Sequence, residues 1–174
     1  GKPSGLMDQT ASSVGDTVAI DFANPEAPVV RPIEANLEGL GLALCIIDCG
    51  ADHAALTGEY ASIPQEMCQV AAYFGKKVLC EVNEADVLAN LPALRQKVGD
   101  RAVLRALHFY ADDQRAVEEA DALASGEKEI FLNLVKESGR SSWELLQNIT
   151  PAAAVAHQDM AIALTVAEKA LNGE

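Results

Sequence analysis

Short alternating runs come first along the chain, and helical periodicity follows. Thr17 to Phe22 (T-V-A-I-D-F) alternates apolar and polar residues, the pattern of a half-buried strand. Asn24, Pro25 and Pro28 then break the chain, and Val29 to Ile33 forms a second short run. Leu42 to Asp48 (L-A-L-C-I-I-D) forms a third, apolar nearly throughout, which predicts a central strand covered on both faces. Runs this short, joined by turn residues and not by helices, predict antiparallel pairing.

After Gly50 the period lengthens. Ile63, Met67, Val70 and Ala71 make one helical stripe, and Gly75 is a natural stop. Asn83 is positioned to cap a helix that Pro92 interrupts. Asp100 is positioned to cap a long helix from Arg101 to about Ala124, with Val103, Leu104, Leu107, Tyr110 and Val117 on one face. Gly126 ends it. Lys128 to Ser138 predicts another helix, ended by Gly139. Ser141 or Ser142 caps a short turn carrying Trp143, Leu145 and Leu146. Thr150 caps a last helix with Pro151 at its first position, and the apolar stretch Ala152 to Leu171 reads as a helix buried on most sides. The expected fold is therefore α+β: a small antiparallel sheet of about three strands packed with five or six helices. Such a sheet is small for so many helices, so further strands are expected from residues before Gly1 or beyond Glu174.

Composition narrows the function classes. The 174 residues suit one domain, or one domain with a small appendage. With 13 basic and 26 acidic residues the net charge is −13, which would repel nucleic acid and anionic membrane surfaces. Aromatic residues make up only 5%, so the core must be aliphatic and alanine-rich. The opening G-K-P-S-G-L-M-D-Q has no apolar stretch of signal-peptide length. His157, Gln158 and Asp159 interrupt the one long apolar segment, so no membrane span is expected. Cys45, Cys49, Cys68 and Cys80 form no C-x-x-C pair. The run C-I-I-D-C followed by His53 is a weak zinc pattern, and Cys45 reads better as a small buried hydrophobe, so no metal is expected. Free thiols point to a reducing, cytoplasmic setting.

Few residues stand out as chemistry. Asp8, in G-L-M-D-Q beside Gly5, could approach and orient a bound hydroxyl, although an acid in the first turn of a helix is the commoner reading. Tyr60 could cover the apolar face of a sugar, or simply pack. His53 could cap the end of the third strand. His108 reads as a helix-surface partner of Asp112, and His157 as a satisfied core histidine. Asp112, Asp113, Glu118, Glu119 and Asp121 read as a solvated helix face. No G-x-x-x-x-G-K-[ST] loop or other glycine-rich phosphate cradle is present.

The segment G-K-P-S-G-L-M-D-Q-T-A-S-S-V-G, Gly1 to Gly15, resembles the galactokinase segment G-x-x-x-G-x-M-D-Q with its small-residue helix. Galactokinases belong to the GHMP superfamily of small-molecule kinases. Later features resemble the family in the same order: Ile20-Asp21, Asp48 with His53 and Leu56, and Gly58-Glu59-Tyr60. Arg105-Ala-Leu-His108 with Asp112 and Arg115 is similar to the R-A-x-H-x-x-x-E-x-x-R helix. Phe131, Leu134, Glu137-Ser138, Arg140 and Ser141 are similar to F-x-x-L-[MV]-x-E-S-x-R-S.

The resemblance implies a parent enzyme that transfers the γ-phosphate of MgATP to the C1 hydroxyl of galactose. It implies Asp8 as the catalytic aspartate and Gly5, Asp8 and Tyr60 as sugar-binding residues. The family's first sugar motif, its ATP phosphate loop and its late glycine-rich segment are not among these residues. The resemblance therefore implies a fragment, with 1–14 a remnant of the N-terminal domain and 15–174 a C-terminal α+β domain of the GHMP kinase kind. Such a fragment is expected to be inactive alone, to bind no cofactor, and to self-associate through surface exposed by truncation. Its expected partner is galactose or a related monosaccharide. Three positions depart from the family: Asp52 where a basic residue is common, Ile63-Pro64-Gln65 where an Arg pair is common, and Gly139 where His is usual. The alternatives are a non-catalytic sugar-sensing paralogue and a GHMP kinase acting on another small alcohol.

Overall fold

The computed structural model describes residues 5–50, 57–152 and 155–171. Among them are two strands and seven α-helices: α1 (Met7–Val14), β1 (Thr17–Asp21), β2 (Val29–Ile33), α2 (Thr57–Tyr73), α3 (Glu84–Ala89), α4 (Leu91–Val98), α5 (Asp100–Ala124), α6 (Lys128–Ser141) and α7 (Asp159–Leu171). A 3-10 turn occupies Leu79–Glu81 and a π-helical turn Ser142–Leu146. The class is α+β, as expected.

Two compact units divide the chain. The first comprises 1–44 and 109–140. Its sheet is a single antiparallel pair, with Thr17 opposite Ile33, Ala19 opposite Arg31 and Asp21 opposite Val29. Pro32 is tolerated in β2 because a two-stranded sheet has only edges. Two side chains shape the connection: Asp21 accepts from the Ala23 N–H at 2.7 Å, and Asn24 from Glu26 at 3.1 Å. Ile33, Ala120 and Leu123 form the buried centre, with Ala19, Ala35, Leu37, Leu40 and Phe131 packed around them. The latter part of α5 and the start of α6 thus cover one face of the hairpin.

The second unit comprises 45–108 and 141–174. Here α2 packs against α4 and the 3-10 turn, and α3 against α4. Val70, Ala71, Leu79, Val87, Leu94, Val103 and Ala106 are buried. Gly75 ends α2 with φ +71°, a backbone that side chains resist. Asn83 caps α3 by accepting from the Ala85 N–H at 2.9 Å. Pro92 sits at the start of α4, where its missing N–H removes no helical bond.

Several expectations are corrected. Leu42 to Asp48 is not a strand, so the sheet has two strands and not about three among the described residues. Leu44 and Ile46 are 85% and 90% exposed, and Cys45 is exposed too. A continuous apolar run marks a covered strand only when neighbours exist on both edges, and the described residues supply none. The helices number seven because Asn90 separates α3 from α4 as two elements, and α1 counts as a further one. Asp100 does not cap α5 with its side chain. It is the first helical residue, and its carboxylate takes Nε and a terminal NH2 group of Arg95 at 2.8 and 3.0 Å. Gly139 does not end α6, which continues to Ser141. The last helix starts at Asp159, not near Pro151. It is not buried on most sides: only Ala161 is buried, while Ile162, Val166 and Leu171 are exposed. His157 lies exposed ahead of that helix and is not a core histidine. Val117 is exposed, off the buried stripe of α5. Asp52, His53 and Leu56 lie outside the described residues.

Candidate functional site

Gly5 and Asp8 belong to the first unit and Tyr60 to the second. Asp8 is exposed in the first turn of α1, where the helix dipole favours a carboxylate. Among the described residues it has no hydrogen-bond or ion-pair partner, so its oxygens are open to a ligand. Gly5 is exposed, and a Cβ built on it meets nothing within 4 Å. Among the described residues nothing demands glycine there. Tyr60 is 43% exposed near the start of α2.

Sequence reasoning missed a polar cluster that joins α2 to α5. Arg105 is only 1% exposed, on a stripe of α5 shared with Ala102 and Ala106. Its Nε donates to the Leu146 carbonyl at 3.0 Å, at the end of the π-helical turn. Its Nη1 donates to the Ser62 hydroxyl at 2.8 Å and to Glu66 Oε2 at 3.0 Å, both on α2. Arg101, one turn earlier, grips the same Glu66 through Nε at 3.1 and 3.2 Å and Nη2 at 2.5 Å. Burial pushes the Arg105 guanidinium below its usual range; Glu66 and Glu59 pull it back and Arg101 adds to the fall. Arg101 moves the other way, raised chiefly by its hydrogen bonds to Glu66. The signal was present: two arginines four apart on an otherwise alanine-rich stripe need an acid, and Glu66 is the acid they share.

His108 is buried, 6% exposed, with Nδ1 2.8 Å from the Ser141 hydroxyl. It is not the surface residue expected from its spacing to Asp112. Asp112 takes Arg115, one turn on. The acidic face of α5 is mainly solvated, although Asp121 pairs with Arg31 at 3.0 Å and Glu119 is half-buried. Among the described residues no group of three His, Cys, Asp or Glu could hold a metal ion, and no helix is long and apolar enough to cross a membrane. All four cysteines are free.

No family profile matches the chain, and no solved structure matches it. Curated relatives do. Galactokinase from Streptomyces lividans is 31% identical over 129 residues, 73% of this chain and 32% of that protein. Human galactokinase is 31% identical over 144 residues, 81% of the chain and 34% of the relative. Galactokinase from Pasteurella multocida is 33% identical over 144 residues, 79% and 34%. The chain thus spans about a third of the length of the relatives it matches. By sequence this chain is a relative of the galactokinases.

Proposed function

We propose that the complete protein carrying these residues is a galactokinase, transferring the γ-phosphate of MgATP to the C1 hydroxyl of galactose. The observation that carries this reading is the similarity to galactokinases over 68–81% of the chain. In this reading Asp8 orients the sugar hydroxyl or takes its proton, while Gly5 and Tyr60 contact the sugar. A carboxylate that is exposed and has no partner among the described residues is compatible with that role.

The residues present do not fit MgATP. There is no glycine-rich phosphate loop and, among the described residues, no acidic cluster for a metal. The nucleotide is therefore assigned to residues outside these 174, and the chain by itself is inactive and binds no cofactor. Residues 1–14 read as the end of an N-terminal kinase domain and 15–174 as a C-terminal domain of the GHMP kind, in a cytoplasmic protein with no nucleic-acid or membrane partner. Alone, the chain self-associates through its exposed apolar residues, among them Leu44, Ile46 and Val155.

Asp52 and Gly139, which depart from the family, favour a second reading: a paralogue that binds galactose without turnover. One experiment separates the two. Purified complete protein is assayed for ATP-dependent galactose phosphorylation alongside Asp8→Ala. Turnover lost in the variant supports the enzyme; galactose binding without turnover in the unmodified protein supports the sensor.

A further inference from the structure

We propose that Ser62 is a positioning residue for Tyr60, held in place by the buried Arg105 guanidinium. The inference rests on the reading above in taking Tyr60 as a sugar contact.

The local problem is in α2. Pro64 lies inside this helix. It has no N–H, so the helical bond to the carbonyl four residues back, that of Tyr60, cannot form from it. The turn that presents Tyr60 has thus lost a rung of its own ladder. A second set of bonds crosses the same turn. The Ser62 hydroxyl donates to the Glu59 carbonyl at 2.7 Å, and accepts from Arg105 at 2.8 Å. A hydroxyl can do both at once.

The far end of this chain of bonds is rigid. Arg105 is 1% exposed, and its planar fork is fixed by the Leu146 carbonyl at 3.0 Å and by Glu66 at 3.0 Å. Glu66 in turn is held by Arg101. The residues flanking Tyr60 on both sides, Glu59 and Ser62, are therefore tied to α5 and to the π-helical turn. A side chain that orders a sugar gains affinity when its backbone is fixed beforehand, because less freedom is lost on binding.

The test is a double-mutant cycle in the complete protein. Galactose and MgATP are titrated separately by calorimetry against unmodified protein, Ser62→Ala, Ser62→Thr, Tyr60→Ala and the Ser62→Ala/Tyr60→Ala pair. Each variant's thermal melt is recorded. Ser62→Ala leaves Arg105 bonded to Glu66 and Leu146, so it is expected to fold. The expected result is a galactose Kd raised about three- to tenfold, the size of one hydrogen bond's net worth, with MgATP affinity unchanged. Ser62→Thr restores binding, and Ser62→Ala has no further effect in the Tyr60→Ala background. Additive effects, an unchanged Kd in Ser62→Ala, or loss of both affinities together with the melting temperature would overturn the inference. If Tyr60→Ala weakens galactose and Ser62→Ala does not, only this inference falls. If Tyr60→Ala leaves galactose binding unchanged, the assignment of Tyr60 falls with it.

Discussion

The Nδ1 atom of His108 lies 2.8 Å from the Ser141 hydroxyl, and both residues are about 6% exposed. Ser141 is the last residue of α6 and precedes the π-helical turn, so the bond fixes where that turn begins. Removing the hydroxyl leaves a buried ring nitrogen without this partner. Ser141→Ala is expected to cost about 1–3 kcal/mol. Urea unfolding of variant and unmodified protein measures it. A cost near zero would mean that the pair is not buried.

Arg101 and Arg105 share Glu66 but differ in burial, with side chains 37% and 1% exposed. Removing Arg105 leaves the Leu146 carbonyl and the Ser62 hydroxyl without its bonds and leaves Glu66 to Arg101 alone, whereas the more exposed arm of Arg101 is screened by water. Arg105→Met is expected to destabilise by at least about 1–3 kcal/mol. Arg101→Met is expected to cost under about 1 kcal/mol. Denaturant midpoints of the two variants decide, and equal costs would contradict this account of the cluster.

Glu119 carries a pH dependence. Burial first, and then the charge of Asp112, raise its pKa above the usual carboxylate range, while Arg115 partly offsets them. The folded protein thus holds this proton more tightly than the unfolded chain does. The resulting stabilisation is full below the unfolded carboxylate's pKa and is lost as pH rises through the folded value. At pH 7 the ionised group sits in an unfavourable place, so Glu119→Gln is expected to raise the melting temperature at pH 7 relative to its effect at pH 4. Melts at the two pH values test this. A variant that gains at pH 4 and not at pH 7 would reverse the sign.

Gly139 lies within α6, exposed, and a Cβ there meets nothing within 4 Å. Its φ is not positive, so alanine suffers no strain. Gly139→Ala is expected to stabilise the protein by about 0.5–1 kcal/mol. Had the helix ended at this glycine in a left-handed turn, the same change would destabilise.

The features legible in the sequence are those set by neighbours in the chain. Asn83 caps its helix through a bond spanning two residues, and Gly75 and Gly126 stop theirs by adopting positive φ, near +71° and +72°. The pairing of Thr17–Asp21 with Val29–Ile33 follows from alternation across a short connection. What misled were patterns whose meaning depends on distant partners. Leu42 to Asp48 has the composition of a central strand, yet no described strand pairs with it. Arg105 meets Ser62 and Leu146 across separations of 43 and 41 residues, which no local spacing announces. His108 has the spacing of a surface pair, but the same turn of α5 faces Ser141. Of the candidate site, Gly5, Asp8 and Tyr60 are proposed from their motifs, and the bonds of Arg105 to Ser62, Glu66 and Leu146 come from the structure.

Asp8 carries the central claim. The most direct measurement is kcat for galactose phosphorylation by the complete protein and its Asp8→Asn variant, which keeps the shape and removes the negative charge. A group that orients the hydroxyl or accepts its proton contributes roughly 10²- to 10⁴-fold. The variant is expected to lose kcat by that factor while its stability falls by no more than about 0.3–1 kcal/mol, the worth of a carboxylate at a helix N-terminus, because Asp8 is exposed and unpaired among the described residues. A variant that phosphorylates galactose as fast as the unmodified protein would contradict the account.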